Sequence, residues 1–137
     1  MSKGGINMKK VIISTLAIFI VWTIIDFIVH GIYLKDYYLL TADLWRPEGE
    51  AKMFLNSVVV LINAFIFTLI YVALVGRKSF GSALLFGLLV GISAGISMGY
   101  GFYAFSPIPY HMAATWFLVS VGEGIIAGVI LGFIAKP

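Results

Sequence analysis

The chain of 137 residues contains no cysteine. Disulfides, thiolate metal sites and cysteine nucleophiles are therefore excluded. Charge is scarce as well. Asp, Glu, Lys and Arg together make up 11% of the residues, against about 25% in an ordinary soluble domain. No GxxxxGK phosphate loop, HExxH or GxSxG occurs, and Ser106 and Ser120 stand in no visible triad. Soluble-enzyme chemistry is not expected, and the chain reads as non-enzymatic. The net charge of +3 forms no nucleic-acid footprint. The basic residues sit at the ends of apolar segments, where they act as topology signals.

The rest of the composition is apolar: 61% of the residues are hydrophobic. Four stretches reach the roughly 20 residues that a bilayer span needs: about 11–33, 53–75, 80–104 and 112–135. The sequence therefore predicts an all-α membrane fold, a single domain over 1–137 with four antiparallel transmembrane helices in a bundle. The links 76–79 and 105–111 are short, which makes neighbouring spans antiparallel. Lys3, Lys9, Lys10, Arg77, Lys78 and Lys136 fall on one side. Lys35, Arg46 and Lys52 fall on the other, among Asp36, Asp43, Glu48 and Glu50. The basic excess marks the first side as cytoplasmic, so both termini are expected inside a bacterial cytoplasmic (inner) membrane. Lys9 and Lys10 before an apolar run resemble the start of a secretory signal. The run is too long for a signal core and lacks a cleavage site, so the first span is expected to be retained, and Met8 offers a second start position.

The outer loop, 34–52, carries Tyr37, Tyr38 and Trp45, residues typical of the headgroup level. It is expected to lie along the membrane surface, with a short helix near 41–45, or to act as a lid on the bundle. Pro47, followed by Glu48 and Glu50, places the start of the second helix near Pro47.

Ionisable residues inside a span are costly and are functional candidates. Asp26 and His30, four apart, share one face of the first helix, with Trp22 and Tyr33 extending the stripe. Asn56 and Asn63 share a face of the second, and Glu123 lies in the fourth between Gly122 and Gly124. At about 1.5 Å per residue, His30 and Asn56 lie roughly 5 Å below the outer edge, Asp26 about 10 Å, and Asn63 and Glu123 about 15 Å. Tyr100 and Tyr103 sit toward the same end. These positions predict a polar intramembrane cluster of Asp26, His30, Asn56, Asn63 and Glu123, open to the outside above a dry inner plug. No Lys or Arg lies within the spans. Glu123 is therefore expected as a neutral acid hydrogen-bonded to Asn63, with Asp26 paired to His30. Such a set suits protons or a cation, and it serves equally as interhelical glue. No metal site is expected. Haem or metal ligation through His30 or His111 is the residual cofactor reading, with His111 otherwise a solvated loop residue.

Glycines recur at every fourth position in the third and fourth spans: Gly87, Gly91, Gly95 and Gly99, then Gly124, Gly128 and Gly132. Rows like these let helix backbones approach closely in lipid. Ser93 and Ser97, with Ala83 and Ala94, give the third span a second small set. Self-association, or contact with other membrane-protein subunits, is expected through these two spans, alongside membrane lipid.

The segment from Trp22 through Asp26 to His30-Gly31, followed by Arg46-Pro47-Glu48, resembles a group of small four-helix bacterial membrane proteins. That group has a D-x-x-x-H-G end to its first helix and an R-P-E element before its second. The resemblance covers the first half of the chain. It implies the four-helix topology, draws attention to Asp26 and His30, and brings no function with it. The first functional expectation is a small non-catalytic accessory or structural subunit of a larger membrane complex. The alternative is an oligomeric transporter or channel for protons, a cation or a small solute, using Asp26, Asn63 and Glu123. A haem- or metal-binding membrane subunit comes third.

Overall fold

The computed structural model describes residues 5–137; Lys3 lies outside the described residues. Among those described, every regular element is helical, and four helices are long and apolar enough to cross a membrane. Helix α1 spans Met8–Tyr33, ending in a π-helical turn over Val29–Tyr33. A short α2, Lys35–Leu40, and a 3₁₀ turn, Ala42–Leu44, follow. Then come α3, Met53–Leu74, α4, Phe80–Phe105, and α5, Tyr110–Ile134. A second π-helical turn, Ile96–Gly101, lies inside α4.

Local chemistry sets the boundaries. α1 begins earlier than expected because Asn7 caps it, its Oδ1 accepting the Lys10 backbone N–H at 3.2 Å. α3 begins at Met53 and not near Pro47. The Glu50 N–H donates to the Pro47 carbonyl at 3.0 Å, and Gly49 takes a φ of 85°. That is a turn with a left-handed residue, which a helix cannot continue through, so Pro47 opens a turn instead of a helix. At α4, Ser79 and Ser82 cap each other reciprocally. The Ser82 N–H donates to Ser79 Oγ at 3.0 Å and the Ser79 N–H to Ser82 Oγ at 2.8 Å.

The long helices are apolar on their outer faces as well. Ile24, Phe27, Phe54, Leu85, Leu118 and Phe133 all stand exposed, which suits helices surrounded by lipid. Lys10 and Lys136 meet at one end, called the termini end below, where the Lys10 ammonium donates to the Lys136 carbonyl at 2.5 Å. The opposite end carries α2 and is called the loop end below.

α4 and α5 pack along their whole length, and α1 packs against α3 and α5. The glycine rows make the α4–α5 seam. A methyl group on Gly87 would fall on the Gly124 carbonyl oxygen, one on Gly91 on that of Ser120, and one on Gly99 on that of Ala113. Gly95 faces the Phe117 backbone, Gly128 faces Ala83, and Gly132 faces the Phe80 ring. Both rows are therefore occupied within one chain. A four-residue spacing overshoots the helical turn by about 40° per step. The wider π turn between Gly95 and Gly99 takes some of that drift back, and Gly99 still meets α5. Of the second small set, Ala83 is buried in this seam, Ala94 lines a cleft, and Ser93 and Ser97 are exposed.

The termini half is filled by Ile18, Phe67, Tyr71, Ala83, Ala127 and Leu131. It is less dry than expected, because the hydroxyls of Ser14, Thr15 and Thr68 are buried there without partners. A second cluster at the loop end centres on Leu34, Ile108, Met112 and Ala113.

Candidate functional site

A cleft of about 680 Å³ lies between the four long helices and runs from the loop end past the middle of the bundle. One face of α1 supplies Trp22, Asp26 and His30, each four residues from the next. α5 supplies Trp116, Ser120 and Glu123. The α3 wall carries Asn63, Ile66, Phe67 and Ile70, and the α4 wall Phe86, Val90, Ala94, Met98 and Phe102. Tyr38 and Trp45 form the roof. No Lys or Arg reaches the lining.

The Trp22 indole N–H donates to the Glu123 backbone carbonyl at 3.0 Å, which ties α1 to α5 at the level of the acids. Asp26 and Glu123 both line the cleft beside that junction. Glu123 Oε1 is buried with no hydrogen-bond partner.

His30 is held from the roof. Its Nδ1 lies 2.6 Å from the Tyr38 hydroxyl, whereas its Nε2 is 3.8 Å from Asp26 Oδ1. The second distance is beyond a hydrogen bond. The expected Asp26–His30 bond is thus only a loose contact, and the strong partner is a tyrosine of the loop. Burial, reinforced by the nearby Asp26 charge, pushes the Tyr38 phenol up to about 12. It therefore stays an O–H group at every physiological pH.

The loop aromatics turn onto the bundle. Trp45 stacks on Phe102 with ring centroids 6.1 Å apart and sets an edge against Trp116 at 6.2 Å. Its indole N–H donates to Thr41 Oγ1 at 2.8 Å, and that hydroxyl donates in turn to the Tyr37 carbonyl at 2.8 Å. The segment is a roof over the cleft. The helix expected near 41–45 is the 3₁₀ turn Ala42–Leu44.

Four of the five predicted polar residues, Asp26, His30, Asn63 and Glu123, line this one cleft. Asn63 stands at its rim and does not bond to Glu123. Its amide donates to the Val59 carbonyl of its own helix at 3.0 Å. Asn56 is exposed in the first turn of α3 and lies outside the lining. Both departures have one cause: α3 packs mainly on α1, so its asparagine face meets the edge of the bundle and not its centre. Tyr33 leaves the Asp26–His30 stripe because the π turn rotates it away. It bonds instead to His111 Nε2 at 3.0 Å.

His111 is exposed in the first turn of α5 and not in a loop, stacked on Tyr37 at 4.8 Å. The two imidazoles thus have separate partners. Among the described residues, no three His, Asp or Glu side chains come together as a metal site. Tyr100, Tyr103 and Tyr110 form their own cluster, with Tyr100 and Tyr110 hydroxyls 3.1 Å apart. Sequence reading missed Tyr38, Trp45, Phe102 and Trp116 as site residues. Two signals were present: the lid reading of loop 34–52 takes in Tyr38 and Trp45, and Trp116 stands four residues before Ser120 and seven before Glu123 on one helical face. No family model, characterised protein or solved structure matches this chain.

Proposed function

We propose that this protein binds a cationic solute in the cleft in exchange for the proton held between Asp26 and Glu123, as the site of a proton-linked carrier. The observation that carries this reading is the pair of carboxyl groups that share one cleft whose walls hold no Lys or Arg. A charge in a low-dielectric site is costly. Letting one cation in as one proton leaves for water keeps the total charge of the pair and its guest constant. The groups facing the pair are His30 on α1 and Tyr38 in the roof. α3 contributes the neutral Asn63, and α4 contributes no titratable group. The excess of basic residues at the termini end turns the cleft toward the extracytoplasmic half.

One four-helix chain has little interior, so carriage across the membrane calls for assembly. Ser93, Ser97 and Gly101, exposed at four-residue spacing on α4, offer a small face for it. The same face favours a second reading, an accessory subunit packed against a larger complex. The test is reconstitution of the purified chain in liposomes with an internal pH indicator. An inward gradient of an organic ammonium ion should drive proton efflux, and Glu123→Gln or Asp26→Asn should cut the rate at least tenfold. Rates unchanged in both variants would overturn the carrier reading. Flux from this chain alone would set the accessory reading aside.

A further inference from the structure

The cleft is walled on three sides and open on the fourth. α3 and α4 are joined through 75–79 and then part. Phe86 meets Phe67 at 4.8 Å and Tyr71 at 5.6 Å near the turn, and beyond that level the two helices touch sparingly. Ile66, Ile70 and Met98 line the cleft and yet are 45%, 40% and 60% exposed. Side chains that face both the cleft and the outside of spanning helices mark an opening at bilayer depth. Meanwhile Trp45, lying against Phe102 and Trp116, roofs the end toward water.

An opening into hydrocarbon selects by partitioning. An inorganic ion keeps its water and stays out, whereas an amphiphilic organic cation concentrates in the membrane. The interior suits such a guest. Its walls carry the rings of Trp22, Phe67, Phe86 and Trp116, whose faces attract a cation, beside the two carboxyl groups. Its volume falls within the ~300–1,000 Å³ of sites for drug-sized molecules. We propose that the cleft takes a lipophilic organic cation, which enters sideways from the bilayer between α3 and α4. This rests on the cation-for-proton reading above and gives it a substrate class and a route.

All three tryptophans of the chain line the cleft, so intrinsic fluorescence reports occupancy directly. The probe is tetraphenylphosphonium added to the purified full-length protein in lipid nanodiscs, with tetraphenylborate as an anion of the same shape. Tetraphenylphosphonium should quench the fluorescence saturably and release protons to an unbuffered medium. Sodium and potassium should not compete. Ala94→Phe or Met98→Phe, each filling the opening, should slow entry at least tenfold, while Leu85→Phe, on the outer face of the same helix and outside the lining, leaves it unchanged. Two filling variants are used so that a fold defect in one, seen as lost thermal stability, does not decide the result.

Equal affinity for tetraphenylborate would overturn the cationic class. Unchanged entry in both folded filling variants would overturn the sideways route. Proton release by sodium or potassium but not by tetraphenylphosphonium would overturn this inference and leave the exchange reading intact. Saturable tetraphenylphosphonium binding without proton release, equal in Glu123→Gln, would sink the exchange reading and leave the sideways site standing.

Discussion

Tyr38 shows how a single residue outside the spans can govern a site inside them. Its hydroxyl holds His30 at 2.6 Å, and burial raises its phenol from 10.0 to about 12. A folded-state pKa above the unfolded one favours the neutral form in the native protein. The contribution is therefore intact below about pH 10 and is lost as pH rises through about 12. Alkaline unfolding of the wild type should steepen over that window relative to Tyr38→Phe, and ultraviolet titration of the two proteins should differ by one late-ionising phenol. At neutral pH, Tyr38→Phe should cost about 1 kcal/mol, the net worth of one buried hydrogen bond. A difference phenol titrating near 10 would contradict the packing described for the roof. Asp26, His30 and Glu123 were legible in the sequence because ionisable groups stand out in apolar runs. Tyr38 and Trp45 were legible only as part of a lid over the bundle, because aromatic residues at the end of a span usually anchor it at the headgroups. Only the fold shows that these two turn inward.

At the level of elements, the α4–α5 seam is the most constrained contact in the molecule. The neighbours of Gly87 and Gly124 are backbone atoms, which cannot rotate out of the way as a side chain can. Gly132 faces the Phe80 ring, and an added Cβ at Gly122 would meet nothing within 4 Å. Substitution by alanine should therefore be graded. Gly87→Ala and Gly124→Ala should each destabilise by about 1–3 kcal/mol or more through overpacking. Gly132→Ala should cost less, because a ring can shift, and Gly122→Ala should be neutral or stabilising because alanine favours the helix. Unfolding midpoints in mild detergent measure the series, and a Gly122 variant as weak as Gly124→Ala would contradict the seam. The glycine spacing was readable in the sequence, as were all four spans, since both rest on composition repeated over many residues. What the rows would touch was not readable, because a small face serves a neighbour in the same chain or in another. The π turns gave no signal at all. They alter register by a fraction of a turn, which was enough to take Tyr33 off the Asp26 stripe. The α3 start was misplaced because proline opens helices and turns alike, and Gly49 decided between them.

On the scale of the whole molecule, the four helices form a tight α4–α5 pair and a looser arrangement of α1 and α3 beside it, with the cleft where the two meet. Which way that cleft faces fixes the direction in which any proton exchange would run, so orientation matters more here than in a symmetric bundle. The absence of cysteine makes orientation directly measurable, since one introduced thiol is the only one to react. Asn7 and Lys136 lie together at the termini end, and Gly76 lies in the turn that joins α3 to α4. Glu48 lies in the exposed turn that follows the roof. By the distribution of lysine and arginine, a membrane-impermeant maleimide applied to intact cells should label Glu48→Cys. It should leave Asn7→Cys, Gly76→Cys and Lys136→Cys untouched until the membrane is permeabilised. The three protected positions test one another, because the fold places them at the same end and any mixture of labelled and protected thiols among them would contradict the antiparallel bundle itself. The reverse pattern, uniform across all four, would keep the bundle and invert it. The cleft would then draw from the cytoplasmic leaflet, and Asp26 and Glu123 would take their proton from the cytoplasm.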